Sequence, residues 1–161
     1  MIKIKKLVSI IFCLALASCG FSPMYKSSEL NKVGIKEITY SGKNELIYFL
    51  RSNIDIRQNN FLSKEFYNLK INVTDNVASV TKNNAGIITE ESVSVNLNYE
   101  IFNETEKKIG EGKLTESRVI SVTNNITSDE EVKRIEKENL LLNIIRVLNY
   151  EIQSKILSQL E

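Results

Sequence analysis

Side chains suited to covalent or metal chemistry are scarce in these 161 residues, which hold two cysteines and no histidine. Without histidine, Ser-His and Cys-His nucleophilic catalysis and His-ligated metal sites are excluded. Cys13 lies inside an apolar run, and Cys19 follows that run behind the small residues Ala17 and Ser18. What remains for catalysis is carboxylate, lysine or tyrosine chemistry. Glu90 and Glu91 are adjacent, so in a strand they point to opposite faces and cannot act as a carboxylate pair. Gly110-Glu111-Gly112 lacks the third glycine and the strand-to-helix setting of a phosphate loop. These residues point to a non-enzymatic protein, with no cofactor and no metal expected.

The segment that positions Cys19 has a recognisable build. Lys3, Lys5 and Lys6 precede Leu7–Leu16, an apolar run of about ten residues broken only by Ser9. A helix needs about 20 residues to span a hydrocarbon core of about 30 Å, so this run is too short. A positive patch, a short apolar run and small residues before a cut are the marks of a secretory signal peptide. Leu16-Ala17-Ser18-Cys19 also resembles the bacterial lipobox, where diacylglycerol joins the cysteine sulfur and the chain is cut just before it. That resemblance implies a signal peptide over residues 1–18 and lipidation of Cys19, which becomes the acylated first mature residue. An ordinary secretory signal with a chance cysteine, or a retained membrane helix, are the alternatives.

Removing residues 1–18 takes three lysines and no acid, so 21 basic and 20 acidic residues become 18 and 20, a net charge near −2. A nucleic-acid partner usually wants a strongly basic domain, and none is expected here. With Cys13 lost and Cys19 acylated, no disulfide within the chain remains. The 143 mature residues suit one domain.

Residues 19–31 show no periodicity and hold the only proline, Pro23, so they read as a lipidated tether reaching up to about 40 Å. Phe21, Met24 and Tyr25 either enter the headgroup region or fold back onto the domain. Residues 32–161 read as a single α+β domain. Val33–Tyr40 is rich in β-branched residues and reads as a strand, broken by Ser41-Gly42. Leu46, Ile47, Leu50 and Ile54 follow helical spacing from a cap near Asn44 to the Gln58-Asn59-Asn60 cluster, about four turns. Tyr67 to Val73 and Val93 to Ile101 alternate apolar and polar, as half-buried strands do. Turn-rich Asn83–Gly86 and Asn103–Lys108 join them, with Ile109–Val122, into an antiparallel meander. Gly110 and Gly112 suggest a bulge or close packing.

Ser128-Asp129-Glu130-Glu131 has the form of a capping box opening a helix of about thirty residues, roughly 45–48 Å long. Its charged first turns, with Lys133, Arg134, Glu136, Lys137 and Glu138, read as a solvated face. The predicted fold is α+β, in the order β-α-β-β-β-α. Its four-stranded sheet is mostly antiparallel, with two helices packed on one face.

Cys19-Gly20-Phe21-Ser22-Pro23-Met24-Tyr25 resembles the C-G-F-x-P-x-Y opening of the LPS-assembly lipoprotein family LptE of Gram-negative bacteria. The element order agrees along the whole mature chain. It departs from the family's pattern at Val122-Thr123-Asn124-Asn125 and in lacking an Ala-rich start to the final helix. The resemblance implies an outer-membrane lipoprotein, lipid-anchored, with its domain on the periplasmic side or within a barrel lumen. Its partners would be the lipopolysaccharide-translocating, LptD-like β-barrel, which it helps assemble and plugs, and lipopolysaccharide (LPS) itself. Lys and Arg are the groups that neutralise phosphate. Lys107, Lys108, Lys113 and Arg118 lie near one hairpin and its outgoing strand, and are the candidate LPS phosphate contacts; the alternative is ordinary surface charge. Two other functions compete with this one. An auxiliary lipoprotein of an ABC-type lipid-shuttling system in the periplasm is one; an envelope hydrolase using Glu90, Glu91, Glu100 or Glu116 is the other.

Overall fold

The computed structural model describes residues 33–54, 56 and 65–158. Cys19, the expected signal peptide over residues 1–18 and the expected tether over residues 19–31 lie outside the described residues. The elements are β1 (Val33–Gly42), α1 (Asn44–Asn53), β2 (Glu65–Lys82), β3 (Ile88–Phe102), β4 (Lys108–Ser121) and α2 (Ile126–Leu157). They form one four-stranded sheet in the order β1-β2-β3-β4. β1 runs parallel to β2, which the α1 crossover permits, while β2, β3 and β4 form the antiparallel meander.

Alternation in the strands fixes which face is covered. Tyr67, Leu69, Ile71 and Val73 of β2 join Val93, Val95, Leu97, Tyr99 and Ile101 of β3 in the core. Leu46 and Leu50 of α1, and Leu140, Leu141, Ile144, Ile145, Leu148, Ile152 and Ile156 of α2, close over them. Both helices therefore lie on one face. Burying each such Leu or Ile side chain contributes roughly 1.5–3 kcal/mol, so the C-terminal half of α2 carries most of its hold on the sheet.

Three local features differ from the sequence expectation. α1 ends at Asn53, and Ile54 is extended, instead of continuing to Gln58. Ser52 Oγ donates to the Tyr48 carbonyl and Asn53 Nδ2 to the Phe49 carbonyl, so the side chains of the last turn bond back onto their own helix. α2 begins a turn before the expected box: its cap is Asn125, whose side chain accepts from Ser128 N at 3.3 Å. Asp129 instead reaches back, accepting from Thr123 N and Thr123 Oγ1, each at 2.9 Å. The backbone hydrogen bond from Thr123 leads in holding its carboxyl below the usual value, against burial. β2 is also much longer than its alternating core, running on to Lys82.

The glycines of β4 act by close packing, as expected. A Cβ on Gly112 would meet the Tyr99 ring at 2.5 Å, so the ring, carried by β3, lies across the glycine that faces it in β4. The Tyr99 hydroxyl donates to Glu151 of α2, fastening the helix to the sheet. Burial, then the Glu151 carboxylate, push the phenol well above its ordinary pKa.

Candidate binding face

The face of the sheet that no other described element covers is built from the polar half of the same alternation. Cross-strand register sets its side chains in rows. Lys70, Glu100 and Glu111 form one row, then Asn72, Asn98 and Lys113, then Thr74, Asn96 and Thr115, then Asn76, Ser94 and Ser117. On the edge strand, Ser41 extends the second row beside Asn72. Several of these groups satisfy each other: Asn72 Nδ2 donates to Ser41 Oγ at 2.9 Å, and Thr115 Oγ1 to Asn96 Oδ1 at 2.9 Å. The first two rows line a shallow concavity of about 500 Å³.

The four cations singled out in the sequence do not converge. Lys107 is an exposed turn residue whose backbone N–H donates to Asn103 Oδ1. Lys108 is held by Glu111 at 2.6 Å and Glu100 at 3.2 Å. The hydrogen bond it donates to Glu111, then that to Glu100, raise its pKa. Lys113 stands on the open face, opposite Asn98. Arg118 is five residues further along the strand, so it points to the helix side, where it pairs with Glu136 at 2.7 Å. Period-two geometry separates Lys113 from Arg118, whatever their nearness in sequence.

That separation predicts different responses to charge reversal. Lys113→Glu should leave the melting temperature within about 1 °C of the parent, because the side chain is exposed. Arg118→Glu should lower it by several degrees, since it sets a second carboxylate against the half-buried Glu136. Equal melting temperatures for the two variants would contradict this placement.

The missed feature is on the covered side. Of the five charges read as a solvated face of α2, Lys133, Glu136 and Lys137 turn inward, with side chains only 13–14% exposed. Lys133 pairs with Glu91 of β3 at 2.7 Å, Glu136 with Arg118 of β4, and Lys137 with Asp75 of β2 at 2.7 Å. The first half of α2 is thus held to three strands by ion pairs, where its second half uses leucine and isoleucine. A helical wheel alone could not find this, because every partner lies on a distant strand. Glu90, on the other face, accepts from Thr81 Oγ1 at 2.6 Å, so the two adjacent glutamates do point apart. Among the described residues no group of three or more His, Cys, Asp or Glu side chains gathers as a metal site. Nor, among them, is any helix long and apolar enough to cross a membrane.

The chain matches no protein-family model, and no curated protein matches it in sequence. Solved structures do resemble it. The minor lipoprotein of Acinetobacter baumannii is 15% identical, with a TM-score of 0.49 over 74% of this chain and 91% of that one. Rare lipoprotein B of Shewanella oneidensis is 9% identical, with a TM-score of 0.58 over 78% of this chain and 100% of that one. At such low identity the likeness speaks to backbone architecture alone, and on that count this chain has the fold of rare lipoprotein B.

Proposed function

We propose that this chain is an outer-membrane lipoprotein that helps assemble and plugs an LPS-translocating β-barrel, assisting insertion of LPS into the outer leaflet. It works by binding and not by catalysis. The observation that carries this reading is the shared fold with rare lipoprotein B, spanning all of that chain. The sequence Cys19-Gly20-Phe21-Ser22-Pro23-Met24-Tyr25 supports it independently, through its resemblance to the opening of the LptE family. The physical fit is direct: wide barrel interiors are polar, and the open sheet face offers amides and hydroxyls to such a wall. Lipidation at Cys19 supplies the membrane hold. One acyl chain gives only marginal binding, with K of about 10⁴ M⁻¹, whereas two or more anchor stably.

Purification from membranes in mild detergent tests the partner. A large, heat-modifiable outer-membrane barrel should accompany the protein. Recovery of inner-membrane ABC components in its place would support the auxiliary-lipoprotein alternative and end this one. The Cys19→Ala variant should accumulate as precursor at the inner membrane; correct outer-membrane placement of that variant would overturn the lipid anchor.

A further inference from the structure

We propose that the outer edge of β4 pairs with β4 of a second copy of this chain, antiparallel about a two-fold axis at Ser117, joining the two sheets into one. The pairing uses the edge of the sheet and not its open face, so it goes beyond the proposed function and does not rest on it.

The sheet ends in two edge strands, β1 and β4. A row of unpaired backbone groups is a template for another strand, and soluble proteins blunt such rows with bulges and lysines. β1 is blunted in this way, because its register with β2 slips at Lys36, between Ile35 and Glu37. β4 holds no proline, and its register with β3 is unbroken from Gly110 to Ser121. The direction of its backbone groups can be read at both ends. Lys155 Nζ donates to the Glu111 carbonyl at 2.6 Å, which marks that carbonyl as facing away from β3. Val122 N, in the opposite phase, donates inward to the Thr89 carbonyl. The two phases alternate in an antiparallel pair, so Lys113, Thr115, Ser117, Val119 and Ser121 also turn their N–H and C=O groups outward. Among the described residues Lys155 alone caps this outward set, and it stops short of Lys113.

The side chains select a second copy as the occupant. An axis at Ser117 sets Thr115 opposite Val119 of the other copy and Lys113 opposite Ser121, so every outward residue meets an outward residue. On the helix side the same register sets Glu116 opposite Arg118, and Leu114 opposite Ile120, each pair occurring twice. These are the closely spaced, non-hydrogen-bonded pairs, in which opposite charges and apolar partners interact best. Glu116 is half-buried and has no ion-pair partner among the described residues. Arg118 holds Glu136 through Nη1 with its side chain 56% exposed, which leaves guanidinium donors for a second carboxylate. Neighbouring symmetric registers lose this match. One sets Glu116 against itself and Leu114 against Arg118; the other sets Arg118 against itself and Glu116 against Ile120. The matched overlap runs from Lys113 to Ser121. It begins just past the carbonyl that Lys155 caps and ends where the strand ends, so no existing bond is broken to form it.

The test is sedimentation of the full processed protein in density-matched detergent, where the parent should dimerise. Glu116→Arg and Arg118→Glu each set like charges opposite one another at both pairs, and each should weaken dimerisation about tenfold or more. Mixing those two variants should restore a dimer, because each supplies the charge that the other lacks, and the recovery shows that both are folded. Lys107→Ala, in the turn before β4, should leave dimerisation unchanged. Under mild oxidation Ser117→Cys should form a disulfide between copies, since the axis brings the two positions to about 5.5 Å at Cα. Neither the parent nor Thr115→Cys should do so. A monomeric parent would overturn the pairing, as would failure to recover on mixing or cross-linking that prefers Thr115→Cys. A dimer indifferent to both charge reversals would be held by its lipid anchors and would overturn it too. Barrel co-purification is read separately, and either result can fail without touching the other.

Discussion

Replacing Gly42 with alanine is expected to remove about 3–5 kcal/mol of folding stability. Gly42 ends β1 at φ +114°, a conformation that L side chains rarely adopt. A Cβ there would also stand 1.9 Å from the Val73 carbonyl oxygen. That oxygen cannot simply turn away, because it accepts from Lys43 N at 3.2 Å where the chain leaves the sheet for α1. Strain and collision therefore act together at the one joint between β1 and the crossover helix. Gly86 separates the two effects: it too has a positive φ, +79°, but a Cβ added there would meet nothing within 4 Å. Gly86→Ala should cost only about 1–2 kcal/mol, the strain alone. Urea unfolding of both variants against the parent decides the matter. A small domain has about 5–15 kcal/mol in total, so Gly42→Ala should lose a large share of its midpoint. Equal midpoints for the two variants would show that the collision is relieved by easy movement of β2.

How much of this architecture is legible in the sequence depends on how local its cause is. The meander is legible because period-two alternation in Tyr67–Val73 and Val93–Ile101 is enforced by one dry face and one wet one. The Asn83–Gly86 turn is legible as well: Asn83 Oδ1 accepts from Ala85 N and Ile87 N, each at 3.0 Å. Both facts reside within a few neighbouring residues. The extension of β2 to Lys82 is not legible. Its outer part, with Asp75, Asn76, Ser79 and Thr81, has no apolar rhythm and is held by pairing with β3. The start of α2 is ambiguous in sequence because Asn125 and Ser128 are both good caps, and the choice is made by Asp129 turning back to Thr123. For the binding face, alternation reveals the polar rows but not their charge balance. Lys108 reads as available in sequence, yet β3 brings Glu100 beside it. Arg118 reads as available too, yet α2 brings Glu136. Ion pairing across the sheet is a long-range fact, and composition carries no trace of it.

The same long-range pairing makes Asp75 the charge on which the first half of α2 most depends. Its carboxylate accepts from Lys137 of α2 at 2.7 Å and from Lys43, at the entrance to α1, at 3.0 Å. With its side chain 12% exposed and that of Lys137 14%, the pair is neither a surface contact nor fully buried. Exposed pairs contribute about 0–1 kcal/mol, while breaking a buried one costs about 3–5 kcal/mol, so Asp75→Asn should cost about 2 kcal/mol at pH 7. The substitution leaves Lys43 and Lys137 facing one another without the anion between them. The pH dependence has a fixed sign. Burial pushes the Asp75 carboxyl up, but the hydrogen bonds from Lys137 and Lys43 outweigh it, and its pKa lies below the ordinary 3.8. A depressed folded-state pKa contributes stability that is fully present above the unfolded value and is lost as pH falls through the folded one. The stability gap between the parent and Asp75→Asn should therefore be constant from about pH 7 to pH 5 and shrink below about pH 4. Urea unfolding of both proteins across that range measures it. A gap that persists undiminished into strong acid would mean that asparagine disturbs packing under α2, and that the ion pair itself contributes nothing.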